Sequence, residues 1–163
     1  MEFVEFSVIG DTAVDAQRAF DRVVPRDDST LFHRFLVIPA VTGVSEQTGP
    51  WTRPGEQRTV HLSDGSRFRE HLVRYDRPPA PDARGRFDYD VTDYTKVLGR
   101  LVSDARARWE FAPAAGGSTI RWSYGFRPLP RRRALVARVI GPIWMAYMRR
   151  GLAECIRVAE GGA

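Results

Sequence analysis

Apolar and polar residues alternate strictly over residues 102–128, the clearest pattern in the chain. Ser103, Ala105, Ala107, Trp109 and Phe111 fall on one face of an extended segment, and Asp104, Arg106, Arg108 and Glu110 on the other. A period of two marks a half-buried strand. Ile120, Trp122, Tyr124 and Phe126 repeat it after Ala114-Ala115-Gly116-Gly117, which reads as a four-residue turn. That turn sets Trp109 opposite Trp122, Ala107 opposite Tyr124 and Ala105 opposite Phe126, so that rings face small residues. The same register sets Glu110 opposite Arg121 and Asp104 opposite Arg127 on the wet face. An inner face of rings and alanines leaves room for a cavity. One of roughly 300–1,000 Å³ is expected between the sheet and Trp144, Tyr147 and Met148.

The rest of the chain extends this sheet. Residues 2–10 read as a strand, and Asp11-Thr12 as the N-cap of a helix over 13–24 that Pro25 stops. Asp27-Asp28-Ser29-Thr30 caps a second short helix through Phe35, ended by Pro39. Strands follow over 41–48, 57–62, 68–75 and 86–94, giving seven in all. Asp64-Gly65 alone as a hairpin turn would put Val60 and Leu62 on the face of Arg67, Arg69 and His71. A three-residue loop, Ser63-Asp64-Gly65 with glycine left-handed, instead brings Val60 beside Phe68 and Arg58 opposite Glu70, both pointing inward. After Pro128-Leu129-Pro130 one long helix runs to about Ala159. Ala137, Ile140, Trp144, Tyr147, Met148, Gly151, Cys155 and Val158 share one side of it, Arg138, Arg149, Arg150 and Arg157 the other. Gly141-Pro142 should kink this helix.

At 163 residues the chain is expected to form a single domain, α+β in class, burying roughly 68–70% of its unfolded surface. Its net charge is +5, but Lys96 is the one lysine among 25 basic residues. An arginine bias alternating with acids on strand exteriors argues against nucleic-acid binding. Cys155 is the only cysteine, placed on the apolar side of the last helix as an inert thiol, so no disulfide joins the chain to itself. No basic leader precedes an apolar run, and no stretch nears the ~20 apolar residues of a membrane span. A cytoplasmic protein is expected. His33, His61 and His71 do not converge on this register, and neither a phosphate loop nor a nucleophile motif is present. No metal and no cofactor are therefore expected.

The order strand, two helices, six strands, long helix resembles the START-related helix-grip (SRPBCC) superfamily, its polyketide cyclase/dehydrase branch in particular. Local echoes are Gly49-Pro50-Trp51 with Gly55, Arg58 to Gly65 (RTVHLSDG), Arg69-Glu70, Phe87-Asp88-Tyr89-Asp90-Val91, and Gly117 to Tyr124 (GSTIRWSY). The resemblance covers nearly the whole chain. It implies a helix-grip fold, in which a seven-stranded curved antiparallel sheet grips the C-terminal helix around an elongated apolar cavity for a hydrophobic ligand. The superfamily includes carriers, sensors and co-chaperones as well as cyclases, so the resemblance leaves the activity open.

Glu70 stands out as a carboxylate on a buried strand face, with Arg58 as its partner. The pair is either a structural ion pair or, with Tyr89, a catalytic group that polarises a carbonyl and moves a proton in a dry cavity. Trp51, Phe68, Trp109, Trp122, Tyr124, Trp144, Tyr147 and Met148 are the expected ligand-pocket residues. For any one ring packing is the ordinary role, but together they suit a planar or polycyclic ligand. Trp51, between Pro50 and Pro54, reads as a plug at the sheet edge or a lid over the cavity mouth. Two functions fit: cofactor-free cyclisation, aromatisation or dehydration of a polyketide-like molecule, or non-catalytic carriage or sensing of a lipid or isoprenoid. Arg131-Arg132-Arg133, with Arg127 nearby, offers a surface to an acidic partner such as an acyl carrier protein.

Overall fold

The alternating segments pair into one antiparallel sheet of seven strands in a computed structural model that describes residues 2–25 and 28–161. In chain order the strands are β1 (Val4–Thr12), β2 (Val41–Ser45), β3 (Gln57–Leu62), β4 (Arg67–Asp76), β5 (Gly85–Thr92), β6 (Val102–Ala114) and β7 (Gly117–Pro128). Their spatial order is β1-β7-β6-β5-β4-β3-β2. Strands β2 to β7 therefore form a meander. Between β1 and β2 lie α1 (Ala16–Val23) and α2 (Asp28–Leu31), which carry the chain from one sheet edge to the other, and α3 (Lys96–Gly99) links β5 to β6. The C-terminal helix comprises α4 (Arg133–Leu135), a π-helical turn over Val136–Ile140 and α5 (Gly141–Ala159). This is the helix-grip arrangement.

The register of β6 and β7 is the one the alternation predicts: Trp109 faces Trp122, Ala107 faces Tyr124, Ala105 faces Phe126 and Glu110 faces Arg121. The tryptophans stack with centroids 4.7 Å apart and planes 11° from parallel, while the Arg121 and Glu110 side chains approach to 3.8 Å in the solvent. Ser103 departs from the expected face. A bulge between Val102 and Asp104 turns Val102 inward and leaves Ser103 exposed. There its hydroxyl donates to Asp104 Oδ2 at 2.7 Å. The β3–β4 connection is the three-residue loop, with Gly65 at φ 79° and Arg58 opposite Glu70.

The helical segments differ more from expectation, for local reasons. Asp11 and Thr12 do not cap α1, because they continue β1 against Thr119 and Ser118. The cap is Asp15, whose carboxylate accepts from Arg18 N at 2.8 Å. The second helix does not reach Phe35. Leu36 adopts φ 52°, and Phe35 and Ile38 exchange backbone hydrogen bonds of 3.0 and 2.8 Å across a tight turn. Asp27 lies outside the described residues. Strands β2 and β5 end early, each where a left-handed residue follows, Glu46 at φ 52° and Asp93 at φ 57°.

Pro142 has no N–H to donate, and the chain meets it with a widened turn just upstream, in which Gly141 N reaches back to Val136 O. The extra residue in that turn rotates the apolar phase. Val136 is consequently fully buried, and Ala137, expected inward, is exposed. Downstream the expected face holds: Tyr147, Met148, Gly151, Cys155 and Val158 are buried. Close helix–sheet approach depends on Gly151, where an added Cβ would lie 3.1 Å from the Trp122 ring and 3.2 Å from Phe32. Helix α1 closes the other end of the concave face, with Phe20 edge-on to Phe111 at 5.1 Å and to Tyr75 at 5.2 Å.

Neighbouring residues on opposite faces of β7 should respond very differently to truncation. Trp122→Ala is expected to cost about 3–5 kcal/mol by cavity formation, and Arg121→Ala no more than about 1 kcal/mol, both read from denaturant midpoints.

Candidate ligand site

Two of the spaces beside the gripped helix bear on a ligand site. The inner one, about 20 Å³, is bounded among others by Leu31, Phe32, Trp51, Arg58, Tyr89 and Trp109, room for roughly one water. The outer one is a cleft of about 220 Å³ whose wall is mostly apolar. Phe68, Tyr94, Leu98, Ile140, Ile143 and Trp144 form its sides, and Val37 and Val97 stand at its rim. The expected large cavity over Trp144, Tyr147 and Met148 is filled by rings. Trp144 packs against Tyr124 at 4.8 Å and Tyr147 at 4.9 Å, and Trp122 against Tyr147 at 6.4 Å. The alanines facing these rings make room for the rings themselves.

The β3–β4 hairpin places Arg58 and Glu70 side by side on the buried face. Arg58 Nε donates to Glu70 Oε2 at 2.6 Å, with the residues 8% and 4% exposed. Trp51 covers the guanidinium, 4.3 Å from its ring centroid, a cation–π contact that strengthens as water is excluded. Trp51 is itself buried, holds φ 62°, and its indole N–H has no hydrogen-bond partner among the described residues. The tryptophan is thus a plug over the ion pair and the inner cavity, held by ring contact rather than by a hydrogen bond.

Tyr94 and Tyr124 form the second polar element, their hydroxyls 2.7 Å apart. Tyr124 comes from the middle of β7. Tyr94 reaches it because left-handed Asp93 breaks the alternation of β5 and turns the next side chain from the outer face toward the cleft. Burial raises the pKa of both phenols, Tyr94 well above its ordinary value, and the Glu70 charge raises both further. Both therefore stay protonated at neutral pH. Two hydroxyls sharing one hydrogen bond keep one proton for a third acceptor; when Tyr124 donates within the pair, that proton is Tyr94's, at the cleft wall.

Of the residues expected at the site, Trp51, Arg58, Tyr89 and Trp109 bound the inner cavity, while Phe68 and Trp144 line the cleft. Glu70, Trp122, Tyr124 and Met148 line neither space, and lie behind them in the packed layer. Tyr147 belongs to the same ring layer. Sequence reasoning missed Tyr94, which simple alternation puts on the outer face, and Ile143; Ile140 it placed on the inward helix side with Trp144 but did not assign to the site. In the arginine cluster Arg133 is committed to Glu2, donating to its backbone oxygen at 2.9 Å. Arg127 pairs with Asp104 at 3.5 Å and stacks on Phe3. Arg131 and Arg132 are exposed. His61 and His71 are bonded to Ser45 and Thr92. Among the described residues no three His, Cys, Asp or Glu side chains converge as a metal site, and no helix is long and apolar enough to cross a membrane.

Comparison with known proteins matches the sequence to a family. The family model described as polyketide cyclase/dehydrase and lipid transport covers residues 11–160. Among solved structures the fold is similar to that of Ara h 8.0201, at 22% identity over 93% of this chain and 99% of that one, with a TM-score of 0.58. It is also similar to the protein XoxI from Bacillus cereus, at 12% identity over 99% and 97% of the chains, TM-score 0.64. An uncharacterised protein from Rhizobium leguminosarum shares it at 14% identity over 98% and 95%, TM-score 0.62. No curated protein is similar in sequence at a significant level.

Two predictions follow from the site's electrostatics. Glu70→Gln or Arg58→Met alone should cost about 3–5 kcal/mol by leaving a buried group uncompensated, and Arg58→Met/Glu70→Leu should recover most of that loss in the same unfolding assay. The phenols should show in an alkaline absorbance titration as tyrosines that ionise well above pH 10. Raised folded values mean that their contribution to stability is complete below the unfolded pKa of about 10 and is lost as pH climbs through the folded values. Tyr94→Phe/Tyr124→Phe should flatten that alkaline decline.

Proposed function

Because the chain belongs to the polyketide cyclase/dehydrase and lipid transport family, we propose that it binds a hydrophobic small molecule bearing a carbonyl or hydroxyl oxygen, with its apolar body in the cleft and that oxygen at Tyr94. The observation that carries this reading is an apolar cleft of about 220 Å³ with Tyr94 in its wall and Tyr124 hydrogen-bonded to Tyr94 behind it. Phenols kept neutral by burial are donors rather than bases, so they select an acceptor oxygen. The volume lies below the usual range for drug-sized ligands. A ring pair or the end of a chain fits as the cleft stands. A larger polyketide-like ligand enters further only if Trp144 gives way.

Carriage needs nothing more than this. The cyclase or dehydratase reading draws on the same wall: a phenol donating to a ligand carbonyl stabilises enolate charge as it develops, and the cleft folds the chain into a reactive geometry. Arg58 and Tyr89 take part in that reading only where a ligand reaches the inner cavity, and Glu70 becomes the proton acceptor once freed from Arg58. With Glu70 held at 2.6 Å by Arg58 and lining neither space, binding is the function this arrangement supports best.

Native mass spectrometry of freshly purified protein should find a co-purified hydrophobic molecule. Calorimetry with 1-naphthol as probe should give saturable binding, weakened about tenfold in Tyr94→Phe, the loss of roughly one hydrogen bond. No retained molecule and no heat with the probe would contradict the proposal. Conversion of a linear poly-carbonyl substrate by the wild type, abolished in Tyr94→Phe while binding persists, would establish the cyclase reading in place of simple carriage.

A further inference from the structure

The cleft mouth carries an unusual combination of exposed aliphatics and unpaired arginines. Leu36 and Val37 form the tip of the Phe35–Ile38 turn and are 67% and 77% exposed. Val97 on α3 is 68% exposed and Val139 in the π-helical turn 51%. The cleft itself holds these segments together, since Val37, Val97 and Ile140 all line it. Leu36 keeps its place at φ 52°, where asparagine or glycine is the ordinary occupant and an aliphatic side chain is strained.

The charges of this rim differ from those along β5 to β7. On the outer face of the sheet Arg86, Arg106, Arg108, Arg121 and Arg127 each pair with a carboxylate. On the segments that bear or adjoin these tips, Arg34, Arg100, Arg131, Arg132 and Arg138 are exposed and pair with no carboxylate among the described residues. Leu129 N donates to Leu101 O at 2.9 Å, which joins the segment bearing Arg131 and Arg132 to the end of α3 bearing Arg100. Lys96 adds its charge while its ammonium donates to Asp64 O. The carboxylates nearby are turned to local donors, Asp64 to Ser66 and Asp93 to Thr92. Exposed positive charge thus accompanies the aliphatic tips on these segments.

We infer that this rim is a docking face for an anionic lipid bilayer: the tips Leu36–Val37, Val97 and Val139 enter the headgroup region while the unpaired arginines meet lipid phosphates. Convex tips of a turn and a one-turn helix need no shape-matched partner, only a soft apolar phase behind a negative surface. A second copy of the chain would oppose arginines to arginines across a two-fold interface. An acidic carrier protein satisfies the charges but leaves the aliphatics without a counterpart. Docked in this way, the cleft opens onto the membrane, and a hydrophobic ligand passes between them without crossing water. The face borders the proposed ligand site, but vesicle binding is measured with no added ligand, so either can fail without the other.

The test is co-sedimentation of the full chain with vesicles of phosphatidylcholine, pure or with a minor fraction of phosphatidylglycerol. The expected result is binding that requires phosphatidylglycerol and weakens with salt. It should fall about fivefold for each arginine removed in Arg100→Ser/Arg138→Ser and at least tenfold in Leu36→Asn/Val37→Ser, with melting temperatures unchanged. Asparagine suits the left-handed position, so that variant should fold. Equal binding to both vesicle types, or to wild type and variants, overturns the inference. So does absence of vesicle binding in a protein that instead self-associates through the same residues or binds an acyl carrier protein.

Discussion

The stacked pair Trp109–Trp122 is the contact on which the remaining structure depends. It fixes the β6–β7 register, and a one-residue slip would send every ring of both strands into water. With the register set, Tyr124 and Phe126 project beside Trp122 and form an aromatic layer that must be covered. Among the described residues, the C-terminal helix is the element long enough to cover it. Its approach requires Gly151 under Trp122 and Phe32, and its start is offset by the widened turn before Pro142. That turn delivers Ile140, Ile143 and Trp144 to the cleft. The site is therefore a consequence of how the helix begins, not an addition to a finished scaffold.

Two polar devices sit within this apolar layer, and burial gives them opposite characters. Arg58 and Glu70 offset part of each other's desolvation cost and are covered by Trp51, an arrangement that holds two strands and yields a charge only if the cover moves. Tyr94 and Tyr124 carry no charge to desolvate. Burial and the Glu70 carboxylate keep them protonated, so they offer a directed hydrogen bond in a place from which water is largely excluded. A site built this way favours a neutral ligand with an acceptor oxygen over a cation or a metal.

Strand faces and registers were legible in the sequence because a period of two is a strong, local signal. The agreement of apolar faces even chose the correct three-residue loop at Ser63-Asp64-Gly65. Departures arose where a single backbone angle overrides the period. The bulge at Ser103, left-handed Leu36 and left-handed Asp93 are each one residue long and leave no periodic trace. Ala137 was misplaced because a regular 100° projection does not register the extra residue of a π-helical turn. The expected cavity failed for a different reason: pairing rings with alanines shows that space exists, but not whether neighbouring rings fill it. Tyr94, on which the candidate site turns, was hidden by the angle at Asp93.

The central claim is that a ligand's oxygen meets the Tyr94–Tyr124 pair. It is tested most directly by labelling the tyrosines with ¹³C at Cζ, assigning them with single Tyr→Phe variants, and titrating the protein with 1-naphthol. The account predicts that the Tyr94 and Tyr124 resonances move together along one saturation curve while that of Tyr75, at the far end of the sheet against Phe20, stays fixed. Movement of Tyr89 with Tyr94 and Tyr124 unchanged would contradict it, and would place the ligand under Trp51 instead.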